Sequence, residues 1–310
     1  MKKKHWVKWT LISLVALIVI GVAGATTYMY HYAFVPGDKA FLHGGKKSQD
    51  YIDNQAWLKN VKQAKWQQTS ATDNIKLVAL YVPAAKATKK TIIVAHGYMG
   101  KKEDMARYIH MYHDLGYNVL APDDRGSGHS GGGYIGYGWP DRLDYVKWAK
   151  KVVKTDGQDS QIALFGVSMG GATVMYTAGE KLPSQVKAVV EDCGYSSISG
   201  ELEYQLNDLF GLPKFPLFYT TNLMARARAG YNFYEGDATK SLAKSKLPIF
   251  IIHGGADKFV PTKMAYENYK AANQPKQLWI VPKAGHGAAL EKQPTQYQQK
   301  VSAFLNQYWD

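Results

Sequence analysis

The sequence predicts an α/β fold in which helices flank a mostly parallel sheet, carried behind an N-terminal membrane helix. Three observations lead there. After about residue 60, short apolar runs alternate with longer amphipathic ones, as strands and helices do in a parallel sheet. The apolar run at 162–165 leads directly into Gly166-Val167-Ser168-Met169-Gly170, a serine placed in a strand-to-helix turn. Residues 9–37 contain no Asp, Glu, Lys or Arg and come after Lys2, Lys3, Lys4 and Lys8, the composition of a segment that enters a membrane.

Taken in order, residues 1–34 form the anchor. Its apolar part, extended to residue 30, gives about 20 helical residues, and at about 1.5 Å each these cover the roughly 30 Å of a bilayer core. Lysines before the segment place the N-terminus in the cytoplasm and the rest of the chain on the far side. Ala23-Gly24-Ala25 also has the small-x-small form that signal peptidase accepts, so the alternative is secretion after cleavage near Ala25. Both readings export the remainder of the chain. Residues 35–65 read as a connector with a short helix near 51–61, and residues 66–310 as the catalytic domain.

Strands are expected at 77–82, 92–95, 119–121, 162–165, 186–190, 249–252 and 278–281. Helices are expected at 104–115, 141–153, 172–180, 264–272 and 297–308. The stretch from about 195 to 247 is too long for an ordinary crossover and reads as a helical cap.

Composition limits the partners. The formal charge is +13, but only five of the 38 basic residues are arginines and the lysines are scattered. Without a basic arm, metal-finger spacing or aromatic RNA signature, nucleic acid is excluded as a partner. A lysine-rich surface facing solvent or an anionic lipid or wall polymer fits better. The single cysteine, Cys193, allows no intramolecular disulfide and lies in no cysteine-hydrolase signature. The histidines lack H-E-x-x-H spacing, there is no cysteine cluster, and no lysine comes after Gly131-Gly132-Gly133 as a phosphate loop requires.

In a parallel sheet, sites assemble beyond the carboxyl ends of the strands. A serine hydroxyl becomes a useful nucleophile when an imidazole takes its proton and a carboxylate fixes that imidazole's tautomer. His286, flanked by glycines after 278–281, is the expected base. Asp257, after 249–252, is the expected acid, with Asp192 after 186–190 as its rival; the longer loop around Asp257 reaches His286 more readily. The backbone amides of Tyr98, in the turn after 92–95, and Met169 are the expected donors to a developing oxyanion. His96 is expected to brace that turn.

Together these residues resemble the α/β-hydrolase fold family over residues 74–309. The family's Pro-Asp-x-Arg-Gly-His-Gly-x-Ser loop stands here as Pro122-Asp123-Asp124-Arg125-Gly126-Ser127-Gly128-His129-Ser130, with serine in place of the histidine. The anchor, Gly138-Trp139-Pro140-Asp141 and His96-Gly97-Tyr98-Met99-Gly100 look like bacterial membrane-associated hydrolases grouped with serine aminopeptidase-like and prolyl-oligopeptidase-like members. The resemblance implies an eight-stranded sheet, a catalytic triad and no cofactor.

For the substrate pocket, the sequence offers Gly97 and Tyr195, with the cap stripe Leu206, Phe210, Phe215 and Phe218. Such a lining suits a short to medium acyl group, so a small-molecule carboxylic ester is the first expectation. A short peptide cleaved by the same triad is the second, and a silent binding scaffold the third.

Overall fold

The computed structural model describes residues 2–37, 39 and 48–309, with the side chains of Lys2, Lys3 and Lys4 excluded. Residues 38 and 40–47 of the expected connector, and those three lysine side chains of the expected topology signal, therefore lie outside the described residues.

An eight-stranded sheet organises the molecule, in the order β1-β2-β4-β3-β5-β6-β7-β8. The strands are β1 (Ala64–Thr69), β2 (Lys76–Val82), β3 (Lys90–Ala95), β4 (Asn118–Pro122), β5 (Gln161–Val167), β6 (Val186–Asp192), β7 (Ile249–Gly254) and β8 (Lys276–Val281). Pairings β1–β2 and β2–β4 are antiparallel and all others parallel. The seven strands expected from apolar runs are all present. The eighth, β1, has the sequence Ala-Lys-Trp-Gln-Gln-Thr and an exposed edge. It carries no apolar run to find, only Trp66 stacked on Tyr81 of β2 at 4.5 Å.

The helices are α1 (Lys2–Phe34), α2 (Gln49–Asn60), α3 (Ala106–Asp114), α4 (Asp141–Asp156), α5 (Met169–Ala178), α6 (Ile198–Phe210), α7 (Leu217–Ala229), α8 (Ala238–Lys244), α9 (Lys263–Ala271), α10 (Ala289–Lys292) and α11 (Pro294–Leu305). One core, built with α4, α5 and α9, lies on one face of the sheet, and a second, built with α3 and α11, on the other. Covering both faces buries β3, β5, β6 and β7 along almost their whole length, which is why these strands read as continuous apolar runs. Two helices, α5 and α11, start three residues earlier than the apolar pattern indicated. The start of α5 is the Ser168 turn itself, and Pro294 opens α11, where its missing N–H costs nothing.

The span from 195 to 247 holds α6, α7 and α8. Ser197 caps α6 by accepting from the Gly200 amide, and Gly211 ends it in the left-handed conformation.

Helix α1 is exposed on all sides over residues 5–21, and from Val22 a stripe at helical spacing becomes covered. The stripe culminates in Thr26, Tyr30 and Phe34, at 4%, 4% and 0% exposure. Thr26 and Thr220 of α7 share a hydroxyl hydrogen bond of 2.6 Å. The Phe34 ring packs 5.1 Å from Tyr137 and 5.6 Å from Phe233, and its carbonyl accepts from the Ile135 amide at 2.7 Å. The last turns of α1 are thus part of the folded unit. Deleting a ring at a site this tightly enclosed costs about 3 kcal/mol or more. Phe34→Ala is expected to lower the thermal midpoint of the detergent-solubilised protein by several degrees; an unchanged midpoint would show that α1 does not dock.

Candidate active site

The turn between β5 and α5 is set by backbone crowding. A side chain at Gly166 would place its Cβ 2.0 Å from the Gly170 carbonyl oxygen, and one at Gly170 would come within 2.2 Å of the Ala95 oxygen. Glycine is therefore required at both positions. The crossing holds Ser168 at φ 58°, ψ −120°, a left-handed conformation that costs a non-glycine residue on the order of 1–3 kcal/mol. Its amide donates to the Asp192 carbonyl at 2.8 Å, which leaves the side chain at the top of the sheet.

Asp257 and His286 arrive from the loops after β7 and β8. His286 Nε2 lies 2.8 Å from Ser168 Oγ, and His286 Nδ1 lies 2.8 Å from Asp257 Oδ2. A carboxylate at Nδ1 draws the ring proton there, leaving the Nε2 lone pair free to accept from the serine hydroxyl. The other Asp257 oxygen accepts from the amides of Phe259 and Val260, each at 2.9 Å. Burial alone would raise the Asp257 pKa, but hydrogen bonds and charge from His253 and His286 outweigh it and hold the carboxyl well below the usual carboxylate range. His253 in turn donates from Nε2 to the Val260 carbonyl at 2.9 Å.

The rival acid sits elsewhere. Asp192 accepts from the Tyr297 hydroxyl at 2.9 Å, and burial, partly offset by that bond, pushes its pKa up to about 6. Cys193 lies beside the triad, close enough for its sulfur to fall within 4.8 Å of the Asp257 and His286 ligand atoms. Burial pushes its thiol well up, so it stays protonated.

Met169 occupies the first position of α5, where the helix offers its amide no acceptor. Tyr98 stands in the turn after β3, held against the nucleophile at Gly97, whose Cβ position would lie 3.6 Å from that of Ser168. His96 braces this turn: its Nδ1 donates to the Gly97 carbonyl at 2.8 Å, and its Nε2 accepts from the Asp124 amide at 3.0 Å.

A cleft opens above Ser168. Tyr195, Leu206, Phe210 and Phe218 line it. Gly97 does not line the cleft; it lies against the nucleophile. Phe215 does not line the cleft; it precedes α7 on the outer surface, 74% exposed. Which way that ring faces is not visible in an apolar stripe.

The sequence did not point to two contributors. One is α1, whose Met29, Tyr32, Ala33 and Phe34 form one wall of the cleft. The hydroxyls of Tyr98 and Tyr137 both donate to the Ala33 carbonyl, at 2.8 and 2.9 Å, filling an acceptor at a helix end that has no partner within the helix. The other is Glu201, on the first turn of α6, buried in the cleft wall. One oxygen accepts from Gln205 at 2.9 Å; the second, and the Gln205 side-chain oxygen, have no protein partner. Burial pushes Glu201 up to about 8.

A family profile described as alpha/beta hydrolase fold matches residues 90–237. The uncharacterized protein YqkD of Bacillus subtilis is 28% identical over 73% of this chain and 74% of its own. The uncharacterized protein YfhR of Escherichia coli K12 is 24% identical over 82% and 85%. Among solved structures, Pyrococcus furiosus esterase Pf2001 superposes with a TM-score of 0.66 at 22% identity, covering 90% of this chain and all of that one. The esterase domain of a Rhodothermus marinus protein gives 0.58 at 18% identity, over 80% of this chain and 100% of its own.

The turn geometry predicts that Gly166→Ala costs more than about 3 kcal/mol, since backbone rather than a movable side chain blocks the methyl. The readout is the denaturation midpoint, and a midpoint equal to wild type would mean that the crossing is looser than described.

Proposed function

The chain is an α/β-hydrolase-fold protein, and from that premise we propose that it is a serine hydrolase cleaving carboxylic esters of short to medium acyl groups through an acyl-enzyme. The observation that carries the reading is the unbroken pair of 2.8 Å hydrogen bonds from Ser168 through His286 to Asp257. Ser168 Oγ attacks the ester carbonyl while His286 Nε2 takes its proton; Asp257 keeps the other ring proton on Nδ1 and stabilises the imidazolium. The carbonyl oxygen, now negative, is received by the amides of Tyr98 and Met169. His286 then returns the proton to the departing alcohol, and a water repeats the sequence on the acyl-enzyme. The apolar cleft accommodates the acyl group.

We place the catalytic domain outside the cytoplasmic membrane on a single anchor. The support is the apolar helix His5–Phe34, long enough to span, together with the lysines before it.

Glu201 favours a second reading, a peptidase that pairs a carboxyl with a substrate amine. With its pKa near 8 the group is protonated in the free protein at neutral pH, so an incoming ammonium must first displace that proton. This ranks the peptidase behind the esterase.

Labelling with a fluorophosphonate probe tests the nucleophile: the chain is expected to label and Ser168→Ala to lose the label, whereas labelling that survives would overturn the assignment. Asp257→Asn is expected to lower p-nitrophenyl ester turnover about 10³- to 10⁴-fold, and Asp192→Asn by less than tenfold; the reverse order would transfer the role to Asp192. On aminoacyl amides beside these esters, Glu201→Gln is expected to leave ester turnover within about threefold. A preference for amides that Glu201→Gln abolishes would establish the peptidase.

A further inference from the structure

We infer that the substrate is an acyl ester of a membrane lipid, taken directly from the leaflet on which the domain sits, with the outer face of α7 and the loop before it seated in that leaflet. This rests on the serine-hydrolase reading and names the source of its substrate.

The first ground is the continuity of α1. The helix runs unbroken for 30 residues, His5–Phe34, whereas a bilayer takes up about 20. The surplus is not a flexible linker: it is the same helix, covered on one face from Val22 onward and locked by Thr26, Tyr30 and Phe34. A rigid rod therefore fixes the domain's height and tilt. The Thr26–Thr220 bond places the beginning of α7 beside the point where α1 leaves the hydrocarbon.

The second ground is where apolar surface is exposed. Outside α1, seven large hydrophobic side chains are exposed among the described residues, and five of them belong to the cap: Leu209, Phe215, Tyr219, Leu223 and Tyr234. Phe215 and Leu223, at 74% and 65%, are the most exposed. Phe215, Tyr219 and Leu223 lie on and just before the α7 stretch that meets α1, with Lys214 next to them. An aromatic-aliphatic patch with a lysine at its margin suits the interface of a bilayer.

Third, the patch and the cleft adjoin. Leu209 is exposed and also lines the cleft, and the cleft's walls are α1, α6 and α7, the elements that carry or border the patch. An acyl chain leaving the leaflet between α1 and the cap enters a cleft whose lining up to Ser168 is mostly apolar, with Glu201, Gln205 and Thr221 as its polar members.

The test uses the full chain reconstituted into phosphatidylglycerol–phosphatidylcholine vesicles. Wild type is expected to release fatty acid from the vesicle lipid and to cleave p-nitrophenyl acetate. The Phe215→Ser/Leu223→Ser double variant is expected to lose tenfold or more of the fatty-acid release while p-nitrophenyl acetate turnover stays within twofold. Undiminished release by the double variant, or p-nitrophenyl acetate cleavage by a wild type that releases no fatty acid, overturns the inference. Seating is read separately, without turnover: the fluorescence gained in Phe215→Trp is expected to be quenched by lipids brominated on their acyl chains, and an unquenched signal contradicts it. If neither ester is cleaved, the serine-hydrolase reading fails, while the quenching still decides whether the patch is seated.

Discussion

Where the backbone of Gly170 crosses the end of β3, at a distance that leaves no space for a methyl group, the geometry of the whole site is determined. That contact forces the chain to turn from strand to helix in a single residue, and Ser168 takes the left-handed conformation as a result. It also brings the β3 turn, with Gly97 and Tyr98, against the nucleophile. The serine and its candidate oxyanion donors are thus positioned by one close approach of main chain to main chain. Acid and histidine then arrive from the loops after β7 and β8, because a parallel sheet delivers all its carboxyl ends to the same side.

A second constraint joins the site to α1. Two tyrosine hydroxyls converge on the Ala33 carbonyl, and one of them belongs to Tyr98, whose amide is a candidate oxyanion donor. The terminal turns of α1 also close one side of the cleft. Helix α1 is therefore structural to the site: moving it would open the cleft and release the turn that faces Ser168. Between these two constraints, the cap supplies the remaining walls through α6 and α7, and Glu201 and Gln205 leave two buried oxygens there without protein partners.

Legibility in the sequence depends on where each signal resides. The elbow was legible because its glycines answer a local steric demand, and seven strands were legible because burial on both faces writes a continuous apolar run. Strand β1 was not, since an edge strand satisfies its pairing through backbone alone and needs only Trp66 to hold it down. Choosing Asp257 over Asp192 rested on loop length; what separates them in the structure is Tyr297, which engages Asp192 from 105 positions away. Phe215 was assigned to the pocket because an apolar residue in a cap reads the same whether it faces a cleft or the outside. The double role of α1 was hidden for a related reason: lipid and acyl pocket select the same side chains, so Met29 to Phe34 look like the end of a membrane segment. Glu201 carried the helix-start signal of α6 and nothing to indicate which way it faces.

The proposed attack of Ser168 on an acyl group held between α1 and the cap is open to a crystal structure of the full chain after reaction with a long-chain alkyl fluorophosphonate. Phosphorus is expected bonded to Ser168 Oγ, its oxygen facing the Tyr98 and Met169 amides, and the alkyl chain running between α1 and α6–α7. An adduct on another residue, or an alkyl chain that leaves the site without touching α1, would contradict it.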